Sequence, residues 1–161
     1  MKWDTATPPP ASIRSWLAEE GSLTERLGRT FGQPVQVQVL SQGEGVALPH
    51  EAAAVNADSG WIREVVLFHR PDRPLLWART FVPRMDDTNP WHIVQNLGEK
   101  PLGALIFTLE GLKRGNFHAG LAWHPAKMGE TPLWHDHWGR WHRLEWRGAP
   151  LILTEIMLFD E

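Results

Sequence analysis

The chain has 161 residues, 42% of them apolar and 22% charged, with a net charge of −3 and no cysteine. That length and balance describe one globular domain able to bury roughly 68–70% of its unfolded surface, and the missing cysteines exclude disulfides, thiolate metal sites and cysteine nucleophiles. The 16 Lys and Arg are dispersed with no basic run, which excludes a nucleic-acid footprint, and no window approaches the ~20 apolar residues of a membrane span.

The first 11 residues form a polar leader ending in Pro8, Pro9 and Pro10, without the apolar core of a signal peptide and expected to be flexible. A cytoplasmic monomer is the expectation. Ile13, Trp16 and Leu17 at helical spacing predict a helix over 11–20 that stops at Gly21. Ser22 and Glu25 have capping-box spacing before Leu23, Leu27 and Phe31, which predicts a second helix over 22–31. Val35, Val37 and Val39 alternate with Gln36 and Gln38, the period of a strand with one wet face. Residues 43–59 read as a loop with room for one helical turn.

GWIREVVLF, residues 60–68, is the next strand, and HRPDRP turns it into LLWARTFVP, a hairpin over 61–83. Asn89, Pro90 and Gly98 bracket a short capped helix, and Pro101 opens another that Gly103 weakens. NFHAGLAW, WGRWHRLEW and PLILTEIMLF follow as strands, the last two joined by RGAP, with a long excursion over 124–137 before them. Helices cluster in the chain instead of alternating with strands. The fold class is therefore α+β, a single domain with about six strands in a mainly antiparallel sheet.

Sequence motifs for nucleotide, phosphate or zinc-protease chemistry are absent. His135 and His137, with His142 nearby, raise a metal site, but no further acidic or histidine pair completes the ligand set, and no metal is expected. Two charges in apolar strands say more. Arg63 lies in WIREVVL and Glu155 in PLILTEIMLF, and a charge taken from water needs a partner. The partner is each other, another side chain, or a ligand; Arg63 would meet a carboxylate, and Glu155 a hydroxyl or a transferable proton. Strand register decides the place of Arg79: if paired residue numbers sum to an even value it shares a face with Arg63, and if odd, with Glu64. Leu23 and Leu102 follow helix starts, where backbone amides lack intrahelical partners and carry the positive end of the dipole. Their side chains read as ordinary core.

WIREVVL, ARTFVP, LGEKPLGALIFT, WGRWHRL and GAPLILTEIML, in that order and spacing, resemble the chorismate pyruvate-lyase family, from about residue 12 to 159. The resemblance implies a six-stranded antiparallel sheet with helices closing over an internal ligand site. It implies conversion of chorismate to 4-hydroxybenzoate and pyruvate with no metal or organic cofactor, the entry step of ubiquinone biosynthesis in many bacteria. Carried over residue by residue, it makes Arg63 and Glu155 catalytic and substrate-binding, and adds Leu102 of KPLG and Leu23, where a methionine stands in a relative. Arg79 matches an arginine near the family site. The alternatives are a non-catalytic aromatic-acid binder and a small-molecule-sensing domain, the latter disfavoured because one domain fills the chain and leaves no room for a DNA-binding part.

Overall fold

The computed structural model describes residues 1–123, 127–128, 131–132 and 136–159. Its frame is an antiparallel sheet of eight strands. In chain order the elements are β1 (Lys2–Asp4), α1 (Ala11–Leu17), α2 (Leu23–Phe31), β2 (Gln36–Val46), α3 (Pro49–Val55), β3 (Ser59–Arg70) and β4 (Arg73–Val82). A 3-10 helix (Pro90–Asn96) and α4 (Leu102–Ile106) follow, then β5 (Lys113–Arg114) and β6 (His118–Trp123). The small ribbon of β7 (Lys127–Met128) and β8 (Thr131–Pro132) precedes β9 (His137–Trp146) and β10 (Ala149–Met157). The strand order is β1-β6-β9-β10-β4-β3-β2, with β5 added beside β9.

The six expected strands are β2, β3, β4, β6, β9 and β10; β1 and β5 are short edge additions that periodicity over two or three residues cannot signal. The leader is thus not a free tail: Lys2, Trp3 and Asp4 pair with Trp123, Ala122 and Leu121. β2 runs on to Val46, and the expected loop over 43–59 holds α3.

Both faces of the central strands are covered, which explains why β10 is buried from Leu151 to Met157 and reads as an almost unbroken apolar run. On one face Ile13, Trp16, Leu17, Leu23 and Leu27 of α1 and α2 pack on Val65, Leu67, Leu76 and Met157. Beside them Leu102 and Ile106 of α4 pack with Trp91, Val94, Trp61 and Leu153. On the other face Ala54 and Val55 of α3 lie on Ile62, Phe81 and Ile152. Each such buried side chain contributes on the order of 1.5–3 kcal/mol, so the two layers hold the sheet from both sides.

Local signals set the helix ends. Ser22 Oγ accepts from the Glu25 amide at 3.2 Å and starts α2, and Asn89 Oδ1 accepts from the Trp91 amide at 2.9 Å and starts the 3-10 helix. The β9–β10 hairpin turns through Arg147 and Gly148, whose φ angles of 51° and 80° are those of a two-residue type I′ turn. That turn fixes the register in which Glu155 lies opposite Arg140 and Leu153 opposite His142.

Candidate active site

In the β3–β4 hairpin Arg63 pairs with Thr80 and Glu64 with Arg79, so the residue numbers sum to an odd value. Arg63 and Arg79 therefore point to opposite faces, and each enters a covered layer. The adjacent charges of WIRE are both inward because the sheet has two insides.

Arg79 meets α3. Its Nε is 2.9 Å from Glu51 Oε2 and its Nη1 2.7 Å from Glu64 Oε1, and Nη2 donates to the Val46 carbonyl at 3.0 Å. Glu51 is fully buried and also accepts from the Leu48 amide at 2.8 Å, tying the start of α3 to the sheet. Burial works against the charge of Arg79, but the hydrogen bonds and charges of Glu51 and Glu64 raise its pKa. Arg79, expected near the ligand site, is not brought to the face of Arg63: its guanidinium serves an ion triad with Glu51 and Glu64 under α3.

On the α1/α2/α4 face, Leu23, Arg63, Leu102 and Glu155 line one cleft, together with Thr24, Thr80, Arg114, Arg140 and His142. Residues distant in sequence meet there because β3, β4, β10 and β9 are consecutive in the sheet. Leu23 and Leu102 are the first residues of α2 and α4, ahead of the first intrahelical bonds, Arg26 N–H to Ser22 O and Ala104 N–H to Pro101 O. The two helix starts converge: a methyl group on Gly103 would lie 3.6 Å from Ser22 Oγ and 3.9 Å from Thr24 Oγ1.

Arg63 is 2% exposed. It donates to the Lys100 carbonyl at 2.9 Å and to Gln42 Oε1 at 3.3 Å, both neutral. Among the described residues no carboxylate lies within ion-pair distance of it, and burial lowers its pKa from the ordinary guanidinium value. Internal pairing of Arg63 with Glu155, one of the three readings left open by the sequence, is not what forms.

Glu155 pairs instead with Arg140, Nε to Oε1 at 3.0 Å. Arg140 Nη1 reaches the carbonyls of Leu17 at 3.2 Å and Glu19 at 2.6 Å, satisfying acceptors at the C-terminal end of α1 where a cation is favoured. Its guanidinium also lies 3.9 Å from the Phe117 ring centroid. Gly139 lets β9 lie close against β10, since a methyl there would clash with the Ile156 side chain and sit 2.9 Å from the Glu155 carbonyl oxygen. Arg114 closes the mouth, donating to the Glu20 carbonyl at 2.6 Å.

Arg140 escaped the sequence reading and His142 entered it only as a metal candidate, although WGRWHRL alternates Arg140, His142 and Leu144 against Trp141, Arg143 and Glu145. His142 is 1% exposed, and its pKa is pushed down to about 3 by burial and then by the charges of Arg140 and Arg114. Neutral when folded and protonatable near 6.5 when unfolded, it contributes stability that is complete above about pH 6.5 and is lost as pH falls toward 3. Urea unfolding at pH 7 and pH 5 is expected to show wild type losing up to about 1.4 kcal/mol per pH unit more than His142→Phe. Equal losses would contradict the burial of a neutral imidazole. Of the histidines considered for a metal, His135 lies outside the described residues, and among those described no group of three His, Asp or Glu is placed to hold a metal ion. Nor is any helix among them long and apolar enough to cross a membrane.

Fold and cleft together define a class, a single α+β domain with a cationic cleft between sheet and helices. The chorismate lyase family model matches residues 2–161, and the chain belongs to that family. It is 33% identical over 153 residues to a probable chorismate pyruvate-lyase of Methylococcus capsulatus, covering 91% of this chain and 94% of that one. It is 36% identical over 166 residues to the chorismate pyruvate-lyase of Sodalis glossinidius, covering 99% and 86%. A solved structure of a putative regulator from Escherichia coli CFT073 shares the fold alone, with a TM-score of 0.50 at 9% identity over 78% of this chain and 96% of that one.

Proposed function

We propose that this protein is a chorismate pyruvate-lyase, converting chorismate to 4-hydroxybenzoate and pyruvate without metal or organic cofactor, as a cytoplasmic monomer at the entry to ubiquinone biosynthesis. The observation that carries the reading is Arg63, a buried cation facing the cleft whose described partners are neutral. A guanidinium held that way is stabilised when a ligand carboxylate completes it.

Chorismate carries two carboxylates, a ring hydroxyl and an enolpyruvyl ether. Cleavage of the ether C–O bond, with loss of the hydrogen on the carbon that bears the hydroxyl, makes the ring aromatic and releases the three-carbon fragment as pyruvate. Aromatisation supplies much of the driving force, so the protein has chiefly to position the substrate and balance its charge. Three guanidinium groups against one carboxylate line the cleft, a surplus that suits a dianion. Arg63 takes the ring carboxylate, aided by the amides of Leu23 and Leu102 at the convergent helix starts. Glu155, oriented by Arg140, contacts the hydroxyl that becomes the phenol and assists the proton transfer. The leucine at position 23 in place of a relative's methionine matters little if the backbone makes that contact. The helices over the cleft exclude water and retain the aromatic product, so product release is expected to be slow.

Purified protein mixed with chorismate is expected to yield 4-hydroxybenzoate and pyruvate in a 1:1 ratio. Binding of chorismate without turnover would contradict the enzyme reading and leave a non-catalytic aromatic-acid binder.

A further inference from the structure

The lyase reading gives roles to Arg63 and Glu155 but none to His142, which lines the same cleft. Its imidazole is 1% exposed, and among the described residues neither ring nitrogen has a hydrogen-bond partner. The ring is held in place by stacking on Phe117, with centroids 4.6 Å apart and planes 17° from parallel. Burying two unpaired polar atoms is costly, and a residue serving only to fill space would carry no polar atoms at all. The side chain is held by stacking and lines the cleft with both ring nitrogens unpaired among the described residues.

The chemistry of the missing partner follows from the neutral imidazole, which offers one N–H donor and one acceptor nitrogen. Carboxylates only accept, and Arg63, Arg114 and Arg140 already line the cleft as donors to them. A hydroxyl both donates and accepts. Position selects the same group. Leu153 lies opposite His142 and Glu155 opposite Arg140, so His142 and Glu155 are diagonal neighbours on one face, separated by roughly 7–8 Å between backbones. One hydroxyl can lie between two side chains so spaced.

We propose that His142 is a substrate-contacting specificity residue which, together with Glu155, forms the hydroxyl-recognising end of the cleft. The inference rests on the lyase reading for the identity of the ligand. It adds that discrimination for the ring hydroxyl is shared across the β9–β10 pair and does not reside in Glu155 alone. A site built to hydrogen-bond a hydroxyl rejects the analogue that lacks it, because the buried polar groups are then left unpaired.

Isothermal titration of 4-hydroxybenzoate and of benzoate into wild type, His142→Phe and His142→Asn tests this, with the melting temperature of each free protein as control. Wild type is expected to prefer 4-hydroxybenzoate. His142→Phe should bind 4-hydroxybenzoate about tenfold more weakly and benzoate no more weakly than wild type does. Its free melting temperature should be no lower, since a buried unpaired polar group has been removed. His142→Asn, which keeps a neutral donor and acceptor, should recover part of the preference. If His142→Phe discriminates the two ligands as wild type does, the inference falls and the lyase reading stands. If it loses both ligands equally with a lowered melting temperature, His142 is structural and the inference falls as well. Should wild type bind neither ligand, the lyase reading fails and takes the inference with it.

Discussion

Arg63→Ala is expected to lower kcat/KM for chorismate at least a hundredfold, equivalent to about 3 kcal/mol, while leaving the protein folded. The two halves of that expectation come from one geometry. A buried guanidinium donating to a ligand carboxylate forms charge-assisted hydrogen bonds that alanine cannot replace. In the free protein the same group is a desolvated cation whose partners among the described residues are the Lys100 carbonyl and Gln42 Oε1, so its removal forfeits little. The loss should appear in KM as well as in kcat, because the substrate carboxylate is present in ground and transition states alike. Steady-state kinetics with a thermal melt on the same sample separates the outcomes. A variant that unfolds would show that Arg63 is a structural cation, and one with wild-type kinetics would place the carboxylate elsewhere.

Arg79→Ala should behave in the opposite way, losing about 3–5 kcal/mol of stability. Removal of this guanidinium leaves Glu51, which is fully buried, and Glu64 facing one another without a cation, and it leaves the Val46 carbonyl without its donor. Against a typical total of 5–15 kcal/mol for a domain, such a loss puts the folded state near its limit at room temperature. Replacing Arg79 and Glu51 by leucine and Glu64 by glutamine should recover much of the loss, since no uncompensated charge of the triad then remains. Urea unfolding of the two variants checks both statements. If Arg79→Ala proves as stable as wild type yet inactive, its guanidinium acts in the ligand site after all and the assignment to the ion triad is wrong. The two arginines of one hairpin, one strand apart, thus divide between function and stability by the parity of their register.

The sequence was most legible where periodicity is long. Strands β2, β3, β4, β6, β9 and β10 follow from alternating or unbroken apolar runs, and Ser22 and Asn89 announce helix starts that the structure caps as expected. β1 and β5 were out of reach because their two or three residues have no period of their own and exist only by pairing with β6 and β9. α3 was hidden by an alanine-rich stretch lacking the apolar stripe of a surface helix. It is held instead by a polar anchor, Glu51 to Arg79.

At the cleft, the oddity of Arg63 and Glu155 in apolar strands was readable because a charge there demands a partner. That they line one cleft is a property of strand order, which connects β3 to β10 through β4 and is not written in either strand. The face of Arg79 could not be read for a definable reason: it depends on the parity of the β3–β4 register, which bulges near Phe68 leave open to sequence inspection. Arg140 could have been found. Once RGAP is taken as a two-residue turn at Arg147 and Gly148, counting back along the hairpin sets Glu155 against Arg140. His142 then follows two residues on, along the same face.

The central claim is that the cationic cleft between the sheet and α1, α2 and α4 receives the aromatic acid with its carboxylate on Arg63. A crystal structure of the complex with 4-hydroxybenzoate tests it most directly. The ligand carboxylate is expected within hydrogen-bond distance of the Arg63 guanidinium and the phenolic oxygen beside Glu155. Density for the ligand outside this cleft, or inside it with Arg63 still bonded only to Gln42 and the Lys100 carbonyl, would contradict it.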